Sequence, residues 1–377
     1  MMLKKISLLL LSSCLLMAIS AQKSRKYSNE FLNIGMGASG MAMSNSRVAG
    51  TGDLFSMYYN AAGLAHIKDN FQIGYMHSEY FAGIAKIDYL AIAIPLENEK
   101  RSLGLTFYRF GIDDIPNTLF LFPNGTDNPP DYSRISRFTN GEYAVLLSYG
   151  QKLKPEGLSV GGSVKIIHKK VGSFATAWGF GIDAGLQYRK NGWRFGINAR
   201  DVSSTYNAWS FNFTAEEADV LQATGNLVPE NSLELTLPMI LVGVGHQFNI
   251  KNKFYIEPEL NVNMNTDGRR NVLFRTDPVG FDATFGLELN YKNIIYLRSG
   301  VGNFQWITKL EGNDKLTAQP NIGVGLNIKG FHIDYAFTNL GDQTSVNGQD
   351  QVFYSNVISA HFGFPKKNKQ EDNIQEL

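Results

Sequence analysis

The stretch Trp178-Gly179-Phe180-Gly181-Ile182-Asp183-Ala184-Gly185-Leu186-Gln187-Tyr188-Arg189 alternates apolar and polar or small residues without a slip. In an extended strand, where side chains point to opposite faces in turn, it puts Trp178, Phe180, Ile182, Ala184, Leu186 and Tyr188 on one face. Three glycines, Asp183, Gln187 and Arg189 share the other. Trp178 and Tyr188 are ten residues apart, which at about 3.3 Å per residue and a tilt near 40° separates them by roughly 25 Å along a membrane normal. That is the height of the apolar band of an outer-membrane barrel, with an aromatic residue in each interfacial girdle. Residues 279–291 repeat the pattern and end on a third girdle aromatic, Tyr291.

Outward from this unit, about fourteen alternating segments fill residues 70–364, beginning near Asn70, Gly83, Arg101, Glu142, Gly157, Ala177, Gly192, Leu233, Lys253, Pro278, Asn293, Gln319, Phe331 and Phe353. Their connections are alternately short and long, and the even count leaves both ends on one side, as closure of a single-chain barrel requires. The fold expected is all-β, a transmembrane antiparallel β-barrel of the outer membrane with periplasmic termini, lipid around it and long loops outside. A soluble sandwich also alternates, but rarely with faces this long and with glycine and carboxylates opposite.

Composition agrees. The 377 residues carry a net charge of +1 with 18% charged residues, which gives no reason to expect nucleic acid as a partner. Hydrophobic residues reach 44%, yet the one long unbroken apolar run is at the N-terminus, so the chain does not read as a helical membrane protein. There Lys4 and Lys5 precede an apolar run over 6–17 and the small residues Ala18, Ser20 and Ala21, a secretory signal peptide over 1–21. Cys14 lies in a lipobox-like setting, but lipidation there would leave very little hydrophobic sequence upstream. Ordinary cleavage removes this only cysteine, and with it disulfides and thiol chemistry.

Residues 22–69 show no alternation long enough to span a membrane. Their glycines allow tight backbone paths, and Phe31, Leu32, Ile34, Met36, Met41, Met43 and Leu64 supply packing surface, so a plug folded into the lumen is expected. Residues 365–377 read as a charged periplasmic tail.

The plug segment also carries a family resemblance. The run Tyr59-Asn60-Ala61-Ala62-Gly63-Leu64-Ala65 resembles the Trp-Asn-Pro-Ala-Gly-Leu element of FadL-like barrels, with Tyr59 and Ala61 as departures, and residues 26–38 resemble the start of the PorV/PorQ family of the Bacteroidetes. The first resemblance implies a fourteen-stranded barrel with an N-terminal hatch. The second implies an accessory or shuttle subunit of type IX secretion, with a large outer-membrane translocon, its surface components and secreted cargo as partners. The alternative within the FadL-like family is a channel for uptake of hydrophobic small molecules, with an apolar pocket beneath the loops at 110–138 and 206–213 and a kinked strand or movable hatch for exit.

The side chains left to do chemistry are few. Lys165, Lys169, Asp183, Arg194, Arg200, Glu257, Glu259, Asp282, Glu288 and Asp334 fall on inward phases, more in keeping with a salt-bridged interior that holds the plug than with an open passage. Such a lumen counts against a continuous greasy conduit. Leu119, Phe120, Leu121 and Phe122 in one long loop, and Tyr206, Trp209, Phe211 and Phe213 in another, are too apolar to stay exposed, so they fold over the barrel mouth or dock a partner or ligand. Thr214 with Glu217 forms a capping box that predicts a short helix. The six histidines are scattered without metal-ligand spacing, Ser359 with His361 lacks a nucleophile turn, and Asn263, Asn265, Asp267 and Gly268 lack the bidentate glutamate of a calcium loop. The chain therefore reads as non-enzymatic, with no cofactor or metal.

Overall fold

The alternation becomes a closed ladder. The computed structural model describes residues 28–68, 71–81, 83–96, 100–122, 129–308, 314–342 and 352–364; the expected signal peptide and charged tail lie outside them. Strands β1 (Phe71–Tyr80), β2 (Ala85–Leu96), β3 (Arg101–Asn117), β4 (Ser136–Lys152), β5 (Leu158–Val171) and β6 (Ala175–Lys190) follow one another as antiparallel neighbours. Next come β7, in two parts (Trp193–Arg200 and Thr205–Phe211), and β8, in three (Ser232–Thr236, Met239–His246 and Phe248–Ile250). The circuit continues through β9 (Phe254–Asn265), β10 (Gly280–Tyr291), β11 (Ile295–Thr308), β12 (Asp314–Ile328), β13 (Phe331–Asp342) and β14 (Val352–Phe364). Phe71 pairs with Phe364, so β14 closes on β1 in a barrel of fourteen staves.

The outward face is a belt of bare apolar side chains, among them Leu90, Leu105, Leu147, Phe180, Ile197, Val324 and Ile358, each more than a third exposed. A continuous belt of this kind on a closed sheet has one solvent that suits it, the hydrocarbon of a bilayer. The protein is a multi-pass outer-membrane β-barrel. In the girdle positions Trp178 is 60% exposed and stacked on His168, and Tyr291 packs against Phe254.

Several strands run longer than the alternation indicates. β4 begins at Ser136 rather than near Glu142, and β12 at Asp314 rather than near Gln319. In each case the partner strand carries a bulge, between Ile112 and Ile115 on β3 and between Gly302 and Gln305 on β11, with Asp114 and Asn303 at positive φ. A bulge inserts a residue and shifts the inside-outside phase, so β3 and β11 continue while their own patterns break, and β4 and β12 extend to pair with them. Residues 203–232, expected as one long loop, likewise hold the upper parts of β7 and β8 around a helix α1 (Ala215–Ala223), whose capping box has both of its hydrogen bonds.

Residues 28–68 fold inside the barrel as short helical turns. Phe55, Leu54, Tyr59, Leu64 and Met36 are buried against inward residues such as Tyr89, Tyr108 and Met76. Wall glycines make this possible. A Cβ added at Gly161 or Gly300 would lie 2.3 Å from the carbonyl carbon of Ala61 or Met43, and one at Gly196 would lie 2.3 Å from the carbonyl oxygen of Val48. At these three points the segment's main chain rests directly on the wall. Asn60, fully buried, donates its amide protons to the carbonyls of Val48 (3.0 Å), Leu186 (3.1 Å) and Ile197 (3.2 Å), which ties the segment to β6 and β7.

Asn60→Ala removes these bonds and should destabilise the internal segment by about 2–4 kcal/mol. In planar bilayers the variant should open far more often than the parent, and deletion of residues 22–68 should give a permanently conducting pore. Equal silence from all three proteins would contradict a segment that seals the lumen.

Candidate functional site: an aromatic groove at the long-loop rim

Above the belt, at the end of the barrel that carries the long connections, β7 continues as Thr205, Asn207, Trp209 and Phe211 on one face. The first two are buried against the interior, so strand periodicity carries Trp209, Phe211 and then Phe213 onto the inner side of the rim. Phe174 meets them from the β5–β6 turn. Its carbonyl accepts the Asn212 N–H at 2.8 Å, and its ring lies 5.8 Å from Phe213 and 5.4 Å, edge-on, from Phe138 of β4. Phe213, Phe211 and Trp209 continue the row at spacings of 6.3 and 6.0 Å.

With Pro116, Thr118, Leu119, Val171 and Ala175, these five rings line a groove of about 540 Å³, within the size range of small-molecule sites. Asn117 fixes one lip by accepting the Leu119 N–H at 3.0 Å.

Of the loop residues singled out from sequence, Leu119, Trp209, Phe211 and Phe213 line this groove. Tyr206 is on the opposite face of its strand, half exposed, and Phe120, Leu121 and Phe122 are not among the lining residues. Phe138 ends one of the loop spans beneath which the pocket is expected, and Phe174 lies outside both. Phe138 shares the inward phase of Glu142 because β4 begins at Ser136, whereas Phe174 sits in a three-residue turn that shows no periodicity.

The interior below is polar and paired. Lys165 lies 2.8 Å from Asp183 and 2.7 Å from Asp201, Arg194 lies 2.5 Å from Glu257, and Arg298 holds both Glu288 and Asp334 at 2.6 Å. Glu259 accepts the Ala49 N–H at 2.8 Å, and Arg200 donates to the Tyr58 carbonyl at 3.1 Å. Within the internal segment burial would raise the Asp53 carboxyl, but Arg47 at 3.1 Å, His361 and the Phe55 N–H together hold it below its ordinary 3.8.

The wall also has a double break beneath the groove. Arg200 pairs with Met239 and Thr205 with Thr236, so residues 201–204 of β7 face only 237–238 of β8. Pro238 has no N–H for the ladder, and Asp201 and Ser204 take positive φ, which bends β7 away from extended geometry.

The remaining candidates do not assemble a reaction centre. Ser359 accepts the Ala38 N–H at 3.0 Å, while His361 stacks on His332 at 4.2 Å and meets Phe55 edge-on. Asp267 is engaged by Arg270, and no group of metal-binding side chains forms among the described residues.

No protein-family model matches the sequence, and no curated protein matches it. The structure is similar to that of the Pseudomonas putida toluene transporter TodX over 88% of this chain and 98% of that one, with TM-score 0.57 and 13% identity. It is similar to the Ralstonia pickettii toluene transporter TbuX over 88% and 98%, with TM-score 0.53 and 15% identity. For a Pseudomonas aeruginosa FadL homologue the figures are 87% and 98%, 0.51 and 12%. At these identities the likeness is one of fold: a FadL-like barrel.

These matches overturn the resemblance to the PorV/PorQ family of the Bacteroidetes and the expected accessory or shuttle role in type IX secretion, since the structures are FadL-type transporters rather than secretion barrels. The physical reason lies in the internal segment: the described part of the stretch that suggested it folds inside the barrel, with Phe31, Met36 and Ala38 buried and the Ala38 N–H bonded to Ser359. Asn60 and its neighbours Ala61, Ala62, Gly63 and Leu64 tie an internal segment to a glycine-lined wall, a task set by the plugged fold and not by protein export. Of the loop aromatics, Phe211 and Phe213 pack against one another, and Phe213 against Phe174, around the groove.

Because the Asp53 carboxyl is held below its ordinary value, its contribution to anchoring the segment is present above that value and is lost only as pH falls through the lowered one. Conductance should stay closed between about pH 5 and 8 and rise only on stronger acidification, an onset that Asp53→Asn should abolish by opening the barrel at neutral pH.

Proposed function

We propose that the protein is an outer-membrane channel for hydrophobic small molecules, which enter through the aromatic groove at the rim. The observation that carries this reading is the groove itself: five aromatic rings and several aliphatic side chains lining an open groove of about 540 Å³ on the inner side of the long-loop end, which faces outside. The fold-level likeness to barrels described as toluene transporters supports it.

The paired charges below give an apolar solute no continuous path down the barrel axis. The break at 201–204 and 237–238 lies beneath the groove, and Val202 and Leu237 expose apolar surface beside it. In this reading a solute leaves the groove at that break and passes toward the bilayer, while residues 28–68 act as a hatch that keeps water and ions from following.

Burying one phenyl ring contributes about 2 kcal/mol, so removing two wall rings should weaken capture by tenfold or more. Cells producing the Phe211→Ala/Phe213→Ala variant should take up a radiolabelled aromatic hydrocarbon at a tenth or less of the parental rate, at equal amounts of folded barrel. Parental uptake by this variant, or uptake in the parent no faster than in cells without the protein, would overturn the proposal.

A further inference from the structure

We infer that Glu142 and Glu234, which flank Lys169 just below the Trp209 wall of the groove, make it selective for uncharged hydrophobic molecules and set it against anionic amphiphiles. This inference rests on the channel reading and adds the class of substrate.

Lys169 is two residues below the groove-lining Val171 on the same face of β5 and is buried. Its ammonium lies 5.8 Å from the centre of the Trp209 ring above and 5.8 Å from that of Phe31 in the internal segment. Taken alone, a buried ammonium beneath an apolar groove would attract the head of a fatty acid. Here it is already engaged, with Glu234 at 3.7 Å and Glu142 at 4.0 Å.

These three side chains therefore carry one positive and two negative charges. Glu234 is also the group nearest the groove wall, because it accepts the Trp209 indole N–H at 3.1 Å. A carboxylate or sulfate seated against Trp209 would meet a net negative group of side chains, whose one cation, Lys169, is already paired. A neutral ring meets only aromatic faces and loses nothing there. Specificity of this kind comes from repelling the wrong ligand more than from holding the right one.

The test uses a matched pair of probes, naphthalene and 2-naphthoate, with binding to the full-length protein in nanodiscs followed by scintillation proximity. An apolar groove disfavours any charge, so the diagnostic quantity is how the ratio of 2-naphthoate to naphthalene affinity responds to these two carboxylates. In Glu142→Gln/Glu234→Gln, which keeps the hydrogen-bond acceptor for Trp209, this ratio should rise roughly tenfold or more. In Glu142→Asp/Glu234→Asp, which keeps the charge, it should stay close to the parental value. Heat-modifiable migration in gels confirms that each variant is a folded barrel. A parental protein that binds both probes equally, or a ratio that the Gln pair leaves unmoved, would overturn the inference and leave the channel standing. Failure of the parent to bind naphthalene at all would overturn the channel reading itself, and this inference with it.

Discussion

A main chain can rest against a β-sheet only where the sheet lacks side chains, and that contact governs the rest of this molecule. Gly161, Gly196 and Gly300 bring three wall staves within touching distance of the backbone at Ala61, Val48 and Met43. Once the segment is seated, its polar main-chain groups are shut away from water and need partners. Asn60, Gln187, Asn198 and Glu259 meet that need by bonding to backbone groups of the segment or the wall. The ion pairs deeper in the lumen follow from the same enclosure, because a charge on an inward phase cannot reach bulk solvent and must find its opposite on a neighbouring stave.

This constraint explains which parts were legible in the sequence. Outward faces answer only to lipid, so they alternate cleanly, and residues 178–189 disclose the fold unaided. Inward faces answer to an irregular partner, but their glycines and matched charges still reveal that something fills the lumen. The rim is different. Bulges near Asp114 and Asn303 shift the phase of β3 and β11, and the groove gathers its rings from β4, a tight turn and β7, elements far apart in the chain. Its aromatic character was readable at Trp209, Phe211 and Phe213, whereas its completion by Phe138 and Phe174 depends on register that the bulges conceal. The short motif around Asn60 was readable too, but it reports how a plug is anchored, and many functions share that need.

The polar interior and the apolar rim divide the work. Paired charges and carboxamides line part of the barrel's interior, and its apolar wall residues are already covered by side chains of the internal segment, which leaves the groove above as open apolar surface. Had the lumen been apolar, a buried segment held by hydrogen bonds would have lost the partners that position it, and sealing and passage would have competed for the same space. Placing the groove off axis leaves both intact.

The upper part of β8, Ser232–Thr236, pairs among the described residues only with the upper part of β7, since β9 ends at Asn265 beside Met239. Together with α1 the two form a two-stranded ribbon that rises from the barrel along one seam and carries Trp209 and Phe211 on its inner side. Its β7 half stays paired with β6 over Ala175–Phe180, and Asn207 and Thr236 bond it to Ser28 and Asn29 of the internal segment. This wall of the groove and the start of the internal segment thereby form one mechanical unit, and a displacement of either is carried to the other.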